Sequence, residues 1–541
     1  MLINVMKKGL FFIVVIVSLF VFGGCQSVSR VDVFGTNDIH GAYFGKDYVT
    51  GEAKVSLSNV HFLVESFRDL VGEENILLLD CGDNIQGDNA SYYFNYVDSS
   101  GNPHLMSRIF NFMKYDAVVV GNHDLEAGHS VYDGITSDYE GDMLAANAFH
   151  SSSSECYFKP FSVFNKGGLD IAVVGFTNPN VKSWIAPEKY SGIEFSSITD
   201  IAQNVVDKVR REEDPDIVIL ALHSGLGEPE NDDFENCALY LASNIRGVDV
   251  VMAAHDHRSL VRKFFNGEDS VLVVDGGARL SALSHISIEV TKKWGKVVNK
   301  KISGELVPIY EFPQSESYNE AFAQDFKKVK EFSNMSIGRL VSDLDMEYKM
   351  EGDSPYMKLI HKLQLSQKGV DVSINAPLAS SGVIPAGELK YNDLFTLYRF
   401  ENLLYIIQMS GGELDRYLEV AYQKRLSGDS PLYNLDSAAG IVYTVSRSAS
   451  EGERVNIISM ADGTPFETDK IYNVAMTSYR ASGAGGMLQE AGIDPTSISE
   501  RIVEVLPEIR DLLYQYVVTQ RNINPQSIFV DKNIGNWSIV R

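Results

Sequence analysis

The sequence predicts an α/β (α+β) protein built from two domains and a linker. Short apolar runs alternate with longer amphipathic stretches between residues 31 and 305, which is the pattern of a domain with a buried sheet. The chain has 541 residues, more than a single hydrophobic core normally serves. Hydrophobic residues make up 45% of the chain. This composition indicates a well-packed globular protein and argues against disorder.

The first 25 residues resemble a bacterial lipoprotein signal peptide. Lys7 and Lys8 precede an apolar segment at 9–22, and two glycines then lead to Cys25. An uncleaved anchor helix is the weaker alternative, because about 20 apolar residues are needed to span a membrane. The resemblance implies that residues 1–25 form a leader and that Cys25 is lipidated after cleavage. We therefore expect a protein of the bacterial cell envelope, periplasmic or on the cell surface, held to the membrane by its lipid.

Charge and cysteine content exclude two further classes of protein. The formal net charge is −25 at pH 7, so the surface should repel nucleic-acid polymers, which bind through basic residues. The cysteines other than Cys25 are Cys81, Cys156 and Cys237. An odd number of widely spaced cysteines gives no disulfide framework. Cys81 is expected to be a small buried hydrophobic residue rather than a metal ligand.

Five predicted strands in the region 31–305 end beside residues that can bind metal. The apolar runs and the candidate ligands that follow them are 31–35 before Asp38 and His40, 76–79 before Asp83, 117–120 before Asn122, 217–222 before His223, and 248–254 before His255 and His257. Open parallel sheets carry their working residues outside the carboxyl ends of the strands, so these side chains are expected to meet at one rim. Two more runs, at 171–175 and 271–275, are expected in the same sheet.

The seven candidate ligands are two Asp, one Asn and four His, without a thiolate. Such a set suits two divalent ions of manganese, zinc, cobalt or iron better than a closed structural site. Two ions roughly 3.5–4 Å apart can activate a water and hold a phosphate. The layout therefore predicts a two-metal hydrolase.

Two aspartates near the second strand receive different predicted roles. Gly82 permits a tight turn directly after the strand. We expect Asp83, which follows the turn, to bridge the two ions. Asp80, at the end of the strand, is expected to support the turn.

The segment around Asn122 predicts a catalytic histidine. Asn122 can bind metal through its side-chain oxygen while His123 points across the cavity towards the phosphate. His123 could then give a proton to the leaving oxygen or stabilise developing charge. Its tautomer needs an acidic partner, and Glu126 and Asp124 are the two candidates.

The second half of the chain predicts a linker and a smaller domain. Residues 306–345 are expected to be a linker with a helix, because proline, serine and charged residues precede apolar residues at helical spacing. Residues 346–541 are expected to form an α+β domain. A helix should begin at Ser410, which has capping-box spacing to Glu413. The predicted strands are 403–409, 441–445 and 472–477.

Several motifs resemble those of known families. The motifs Asp38-Ile39-His40, Gly82-Asp83 with Gly87, Gly121-Asn122-His123-Asp124, His223-Ser224-Gly225 and His255-Asp256-His257 resemble the signature of the calcineurin-like metallophosphoesterases. The motif Tyr398-Arg399-Phe400-Glu401-Asn402 and the segments 435–443 and 479–486 are similar to the C-terminal domain of the bacterial 5′-nucleotidase family. That family includes 2′,3′-cyclic-nucleotide 2′-phosphodiesterase/3′-nucleotidases and UDP-sugar hydrolases. The resemblance implies a metallophosphoesterase β-sandwich flanked by helices at 31–305 and a nucleotide-binding domain at 346–541.

The resemblance also implies roles for individual residues. One ion would be held by Asp38, His40, Asp83 and His257, and the other by Asp83, Asn122, His223 and His255. His123 takes the place of the catalytic histidine, and the acidic residue three positions later, an Asp in many members, is Glu126 here. On the second domain, Phe400 and Tyr479 would stack on the base, with Asn402 nearby. The alternative is that both rings are core aromatics.

We therefore expect an exported metal-dependent nucleotide phosphohydrolase of the 5′-nucleotidase type. It would hydrolyse a small-molecule nucleotide to nucleoside and phosphate with a two-metal activated water. Two alternatives stay open, a 2′,3′-cyclic-nucleotide 2′-phosphodiesterase/3′-nucleotidase and a non-catalytic nucleotide-binding lipoprotein. Several 5′-nucleotidases carry a Gly-Gly-x-Arg segment where this chain has Asn375-Ala376-Pro377-Leu378. Without that arginine, the position of the phosphate on the substrate cannot be read from the sequence.

Overall fold

A computed structural model describes residues 26–267, 270–378, 382–398, 400, 402–428 and 430–541. The predicted leader with Cys25 lies outside these residues, as do Arg399 and Glu401 of the motif at 398–402. The described part of the chain forms two α/β regions, which meet across a cleft.

Two six-stranded sheets form the centre of the first region. Sheet 1 contains, in spatial order, Lys296–Val307, Leu283–Lys293, Gln26–Thr36, Ile76–Asp80, Ala117–Val119 and Asp142–Leu144. Sheet 2 contains Ser259–Phe265, Ser270–Gly276, Val250–Met252, Ile217–Leu222, Leu169–Phe176 and Phe161–Lys166. Each sheet combines four parallel strands with two that pair antiparallel.

The two sheets pack face to face and helices cover their outer surfaces. Apolar side chains such as Val33 and Leu79 of sheet 1 share one buried cluster with Ile219 and Met252 of sheet 2. This arrangement confirms the predicted β-sandwich flanked by helices. The expectation of one sheet for all the apolar runs was wrong, because the runs at 171–175, 217–222, 248–254 and 271–275 belong to sheet 2. Strands that are buried on both faces appear as continuous apolar runs in the sequence, whichever sheet they belong to.

The helices of the first region lie on both sides of the sandwich. Their bounds are Leu57–Val71, Asn89–Tyr92, Leu105–Met113, His129–Asp138, Val181–Trp184, Ile198–Glu212 and Ala238–Asn244, with a π-helical turn at Tyr93–Val97. The helices Leu57–Val71 and Leu105–Met113 pack on sheet 1. The helices Ile198–Glu212 and Ala238–Asn244 pack on sheet 2. A small separate sheet pairs Ala148–His150 with Ile193–Phe195.

The predicted linker contains two short helices, Glu316–Ala321 and Ala323–Ser333, which meet at Phe322. Phe322 and Val329 are buried in the core cluster of sheet 1. Arg108 donates to both carboxylate oxygens of Asp325, at 2.9 and 2.8 Å. These contacts attach the linker helices to the first region, while Phe332 near the end of the second helix packs against Tyr391 of the second region.

The second region is built on a five-stranded sheet. Its strands are, in spatial order, Ser437–Ala439, Val372–Asn375, Ile471–Thr477, Leu403–Ser410 and Ile502–Glu508. Smaller sheets contain Val455–Met460, Ile441–Ser446 and Asn536–Val540; Gly387–Lys390, Ser336–Leu340 and Asn522–Ile523; and Leu344–Asp345 with Val383–Ile384. The helices are Pro355–Leu365, Tyr391–Leu397, Gly411–Ser427, Ser478–Ala481, Met487–Glu490, Ile509–Gln520 and Pro525–Phe529.

The helix Gly411–Ser427 begins as the sequence predicts. Ser410 accepts a hydrogen bond from the backbone N–H of Glu413, and Glu413 accepts one from the backbone N–H of Ser410. This reciprocal capping box is confirmed. Of the helices in the described ranges, none has the length and hydropathy that a membrane crossing requires.

Tyr92 lies at the centre of the contacts between the two regions. Its hydroxyl donates to Asp511 at 2.6 Å, and the guanidinium of Arg510 lies 5.7 Å from the centre of its ring. Nearby, Asn89 donates to Asn392 at 2.6 Å. These polar contacts hold the second region against the first.

Candidate active site

The seven candidate ligands come together at the carboxyl ends of the strands, although two sheets supply them. Sheet 1 delivers Asp38, His40, Asp83 and Asn122, and sheet 2 delivers His223, His255 and His257. The backbone N–H of His255 donates to the carboxylate of Asp38 at 3.0 Å, which ties a loop of one sheet to a loop of the other. The site therefore lies between the two sheets, at the ends of the strands that carry its loops.

The first group of donors contains Asp38, His40 and His257. The Nε2 atoms of His40 and His257 are 3.0 Å apart, and His257 Nε2 lies 3.6 Å from Asp38 Oδ1. Two imidazole nitrogens at this distance can share one proton or one cation. The donor atoms lie within 4.8 Å of one another, as a common metal ion requires.

The second group contains Asp83, His223 and His255, with Asn122 between the two imidazoles. His223 Nε2 lies 3.1 Å from Asp83 Oδ2 and 3.0 Å from Asn122 Oδ1. His255 Nδ1 lies 3.1 Å from the same amide oxygen. Asp83 also acts on His40 of the first group through its charge. The two groups correspond to the two sets of ligands that the family resemblance implies.

The backbone at the donors is strained in a way that fits metal binding. Five of the seven candidate ligands have a positive φ, between 47° and 82°: Asp38, His40, Asp83, His255 and His257. Eleven non-glycine residues in the described ranges adopt such a conformation, so almost half of them are candidate ligands. A left-handed residue other than glycine costs about 1–3 kcal/mol, and such residues collect at functional sites.

Charges inside the site favour cations. Burial opposes ionisation of Asp83, but the imidazoles of His223 and His123 outweigh it and hold the pKa of Asp83 well below its usual value. Burial likewise opposes protonation of His223, yet Asp83 raises its pKa to about 9. Burial lowers the pKa of His40 to about 3, so this ring is neutral and able to coordinate a metal. The ionised Asp83 beside the neutral His40 suits a divalent cation, whereas a cation bound by His223 would have to displace the proton of that ring.

Two buried aspartates hold the loops of the site. Asp80 accepts hydrogen bonds from Thr36 at 2.7 Å, from the Gly82 N–H at 2.8 Å and from Asn84 at 2.7 Å. Burial raises the pKa of Asp80 to about 8 despite these bonds. Its contacts agree with the supporting role that the sequence predicts.

Asp124 has a structural position rather than the catalytic one considered above. Its carboxylate accepts from the backbone N–H groups of Gly121 and Asp83 at 2.9 Å and of Asn84 at 2.7 Å. The group that contacts His123 is Glu126, whose Oε1 lies 2.8 Å from His123 Nδ1. The expectation that Asp124 could be the partner was therefore wrong, because the turn directs its carboxylate inwards to the backbone.

His123 lies between the ligand groups and the cleft. Its backbone N–H donates to Asp83 Oδ1 at 2.9 Å, and its ring centre is 5.5 Å from that of His40. With Glu126 at Nδ1, the Nε2 atom is the remaining polar atom of the ring. The ring therefore adjoins the place where a group bound to both donor sets would lie.

A cleft of about 760 Å³ separates the two regions and reaches the site. The first region lines it with Asn122, His123, Glu126, Trp184, Glu235 and His255. The second region lines it with Asn402, Tyr479, Gln489 and the glycine-rich segment 483–486. Tyr479 is 37% exposed and Phe400 is 41% exposed, so neither ring is a core aromatic.

Comparisons with known proteins agree with this geometry. The family model for calcineurin-like phosphoesterases matches residues 32–259, and the model for the 5′-nucleotidase C-terminal domain matches residues 331–490. The chain belongs to the metallophosphoesterases that carry a 5′-nucleotidase C-terminal domain. The predicted family and fold class are thus confirmed.

Individual relatives of this metallophosphoesterase are distant in sequence. It is 23% identical to the trifunctional nucleotide phosphoesterase protein YfkN of Bacillus subtilis over 94% of its own length, but spans only 39% of that relative. It is 23% identical to the 2′,3′-cyclic-nucleotide 2′-phosphodiesterase/3′-nucleotidase of Haemophilus influenzae, covering 96% of this chain and 89% of the relative. The crystal structure of the 5′-nucleotidase precursor from Thermus thermophilus superposes with a TM-score of 0.65 at 18% identity, covering 95% of this chain and 99% of the other.

Two residues of this metallophosphoesterase site carry no signal in the sequence. Glu235 Oε1 lies 3.0 Å from His255 Nε2, the nitrogen that does not face Asn122. The ring of Trp184 stacks on the same imidazole, with the ring centres 5.2 Å apart and the planes at 21°. Both residues lie in irregular segments or short helices between strands, where no motif or periodicity marks them.

The segment that departs from the 5′-nucleotidase pattern lies next to the cleft. Asn375 and Ala376 line a small cavity of about 30 Å³ together with Asn402, Tyr479 and Arg480. The guanidinium of Arg480 is buried and contacts Asp436 at 2.9 Å and the carbonyl of Ala484 at 2.8 Å. This arginine supports the glycine-rich segment of the cleft wall, so it does not replace the one missing from 375–378.

Proposed function

We propose that the protein hydrolyses phosphate esters of nucleotides, in the manner of a 5′-nucleotidase, to a nucleoside and phosphate. One observation carries this proposal: the second donor group opens, through Asn122 and His255, into a cleft whose opposite wall presents Tyr479 and Asn402. The donor groups suit the phosphate end of a substrate, and an exposed aromatic ring suits its base. The chain therefore has a place for each end of a nucleotide.

The residues divide the work of hydrolysis between them. Two divalent cations of manganese, zinc, cobalt or iron, when bound by the seven candidate ligands, would acidify a water and neutralise charge on the phosphate. Asp83 would be shared between the two sites. His123, oriented by Glu126 at 2.8 Å, would hold a proton at Nε2 for the departing oxygen. Tyr479, Phe400 and Asn402 would bind and orient the nucleoside.

The second candidate function is that of a cyclic-nucleotide 2′-phosphodiesterase/3′-nucleotidase. It stays a candidate because the segment 375–378 has no arginine, so no cationic group of that segment selects a 5′-monophosphate over the other esters. A non-catalytic nucleotide-binding protein is a weaker proposal. Binding alone would need the stacking wall, whereas this chain keeps seven donors and the pair formed by His123 and Glu126.

We also propose export and lipid anchoring. The support is the sequence order of two lysines, an apolar segment at 9–22 and Cys25. A single acyl chain binds a membrane weakly, so stable anchoring would require the several chains that bacterial lipoproteins carry or a second contact with the bilayer. Mass spectrometry of the mature amino terminus would test the modification of Cys25.

Phosphate release tests the catalytic proposal. AMP, 3′-AMP and 2′,3′-cyclic AMP should be compared with and without added Mn²⁺ and after chelation. We expect metal-dependent release, with the preferred ester deciding between the two enzymatic candidates. Asn122→Ala should abolish release, whereas Asn165→Ala, which changes a surface hydrogen bond to Asp170, should not. Release from none of the three esters, or full activity of Asn122→Ala, would overturn the proposal.

A further inference from the structure

A hairpin at the end of sheet 1 has an unusual turn. The strands Leu283–Lys293 and Lys296–Val307 are joined by Trp294 and Gly295, with φ values of 56° and 76°. Positive φ at both central residues is typical of a type I′ turn, which strongly prefers Asn, Asp or Gly. A tryptophan in the first position is strained, and Trp294 is 70% exposed. Intramolecular packing therefore does not explain the residue, and the strain points to a function outside the folded chain.

The surface around this turn combines exposed apolar and basic side chains, although the protein is strongly acidic. Lys293 and Lys296 flank the turn and are exposed, and the side chains of Val28 and Val298 are exposed close to it. We call these four residues and Trp294 the hairpin tip. Tryptophan beside lysine is the composition of protein surfaces that lie at a membrane interface, where the ring sits among headgroups and the lysines meet anionic lipid.

Two lysines further along the same hairpin serve the fold instead. Lys292 contacts Asp216 at 2.6 Å, and Lys300 contacts Asp249 at 2.8 Å, so both neutralise acidic residues of the sandwich. Lys293 and Lys296 point their charge into solvent in a chain with a net charge of −25. This local reversal of charge is complementary to an anionic surface.

The start of the described chain lies beside the hairpin tip. Gln26 is the register partner of Lys293, and Cys25 directly precedes Gln26 in the sequence. Neighbouring strands are about 4.8 Å apart, so Gln26 lies beside the turn, and the proposed lipid anchor precedes it by a single residue in the sequence. The strand Gln26–Thr36 then runs about 33 Å to the loop that carries Asp38, at its opposite end.

We propose that the hairpin tip is a membrane-contact surface, in which Trp294 enters the interface of an anionic phospholipid bilayer while Lys293 and Lys296 meet the headgroups. The proposal rests on the lipid anchoring proposed above and is independent of the catalytic activity. A bilayer fits better than a second copy of the chain, because two identical tips would bring like charges together. In this orientation the hairpin tip contacts the membrane, and the loops of the active site lie at the opposite end of the sandwich, so the cleft faces away from the membrane.

Tryptophan fluorescence tests this contact. The full-length lipidated protein is reconstituted into vesicles of phosphatidylcholine with or without phosphatidylglycerol, containing brominated lipid as a quencher. The other two tryptophans are distinguishable, because Trp537 is buried and Trp184 lies in the cleft. We expect quenching in anionic vesicles, weaker quenching in neutral ones, and its loss in Trp294→Phe. An anchored protein whose fluorescence is not quenched would overturn the proposal.

Charge reversal separates this surface from a general effect of charge. Each lysine near an anionic membrane is expected to strengthen contact about five-fold. Lys293→Glu/Lys296→Glu should therefore weaken binding to anionic vesicles by about 25-fold or more. Lys327→Glu/Lys330→Glu, on the exposed side of a linker helix, makes the same change in net charge and should have little effect. Equal losses in both variants would overturn the proposal.

Three separate measurements distinguish the proposals of lipid anchoring, catalysis and membrane contact. Acylation of Cys25 is measured by mass spectrometry, hydrolysis of AMP by phosphate release, and the tip by quenching. An unmodified Cys25 would remove the anchoring and this inference with it, while leaving the catalytic proposal intact. A Trp294→Phe variant that changes the oligomeric state in solution, with no change in quenching, would assign the tip to a second copy and also overturn the inference.

Discussion

Replacing Gly121 with alanine should displace the carboxylate of Asp83 from the metal site. A Cβ atom at Gly121 would lie 2.2 Å from Asp83 Oδ1 and 2.3 Å from the Asp83 backbone nitrogen. The backbone of Gly121 is not in the left-handed region, so alanine can adopt its conformation and the added methyl group is the whole perturbation. Both close contacts involve the residue that we propose as the bridge between two ions.

The size of the effect follows from the distance that must be made up. A contact of 2.2 Å has to lengthen by about 1 Å to become an ordinary contact. A displacement of that order at a catalytic site costs about 100-fold in rate, which corresponds to about 2.7 kcal/mol. Overpacking in the loop should also lower the free energy of unfolding by about 1–3 kcal/mol.

The assay compares kcat/KM, bound metal and unfolding by urea for Gly121→Ala and for a matched control. Gly134, inside the helix His129–Asp138, has open space around its Cβ position. Gly134→Ala should leave activity unchanged and raise the free energy of unfolding by about 0.5–1 kcal/mol, because alanine favours helix over glycine. A Gly121→Ala protein with wild-type kcat/KM and a full complement of metal would refute the reasoning.

Further outcomes follow from three other side chains. Tyr479→Ala should raise KM for AMP by about 5- to 150-fold, because about 1–3 kcal/mol of stacking is lost. Hydrolysis of glycerol phosphate, which has no base, should be unchanged. Equal losses for both substrates would contradict a stacking role. Glu235→Ala should weaken Mn²⁺ binding by about 10- to 100-fold, since it frees the His255 ring, and a titration with unchanged affinity would exclude this role. Burial lowers the pKa of His361 to about 3, so the unfolded chain takes up the proton first and stability falls as the pH drops below about 6.5. Between pH 7.5 and 5.0 the His361 share of this loss is about 2 kcal/mol. Urea unfolding of His361→Gln should therefore lose about 2 kcal/mol less than the wild type, because the buried His40 and His104 still contribute in both proteins.

The strands and the positions of the candidate metal donors after them were predictable because local patterns determine them. The apolar run at 217–222 coincides with the strand Ile217–Leu222, and each candidate ligand follows a strand as expected. The assignment of strands to sheets was not predictable, because the residues of a strand that is buried on both faces do not indicate which other strand it pairs with. Hydrogen bonding between strands distinguishes the two sheets in the folded protein, and helices such as Ile198–Glu212 cover the outer face of sheet 2.

The contacts of the acidic residues near the site could not be predicted from the sequence alone. Spacing allowed both Asp124 and Glu126 to contact His123, and the turn decides between them by directing Asp124 to backbone N–H groups. Glu235 lies 20 residues before its partner His255 in a loop without periodicity. Its role depends on the loop's path in space, which residue types alone do not encode.

The position of the site between the two sheets determines how much of the chain would be needed to bind metal. The donors begin at Asp38 and end at His257, and neither half of the sandwich holds both donor groups alone. A truncated protein that ends before the last of these loops would lack His255 and His257, and so one imidazole from each donor group. If the donor groups bind the ions proposed above, metal uptake must follow folding of the chain as far as His257, because both sheets supply ligands.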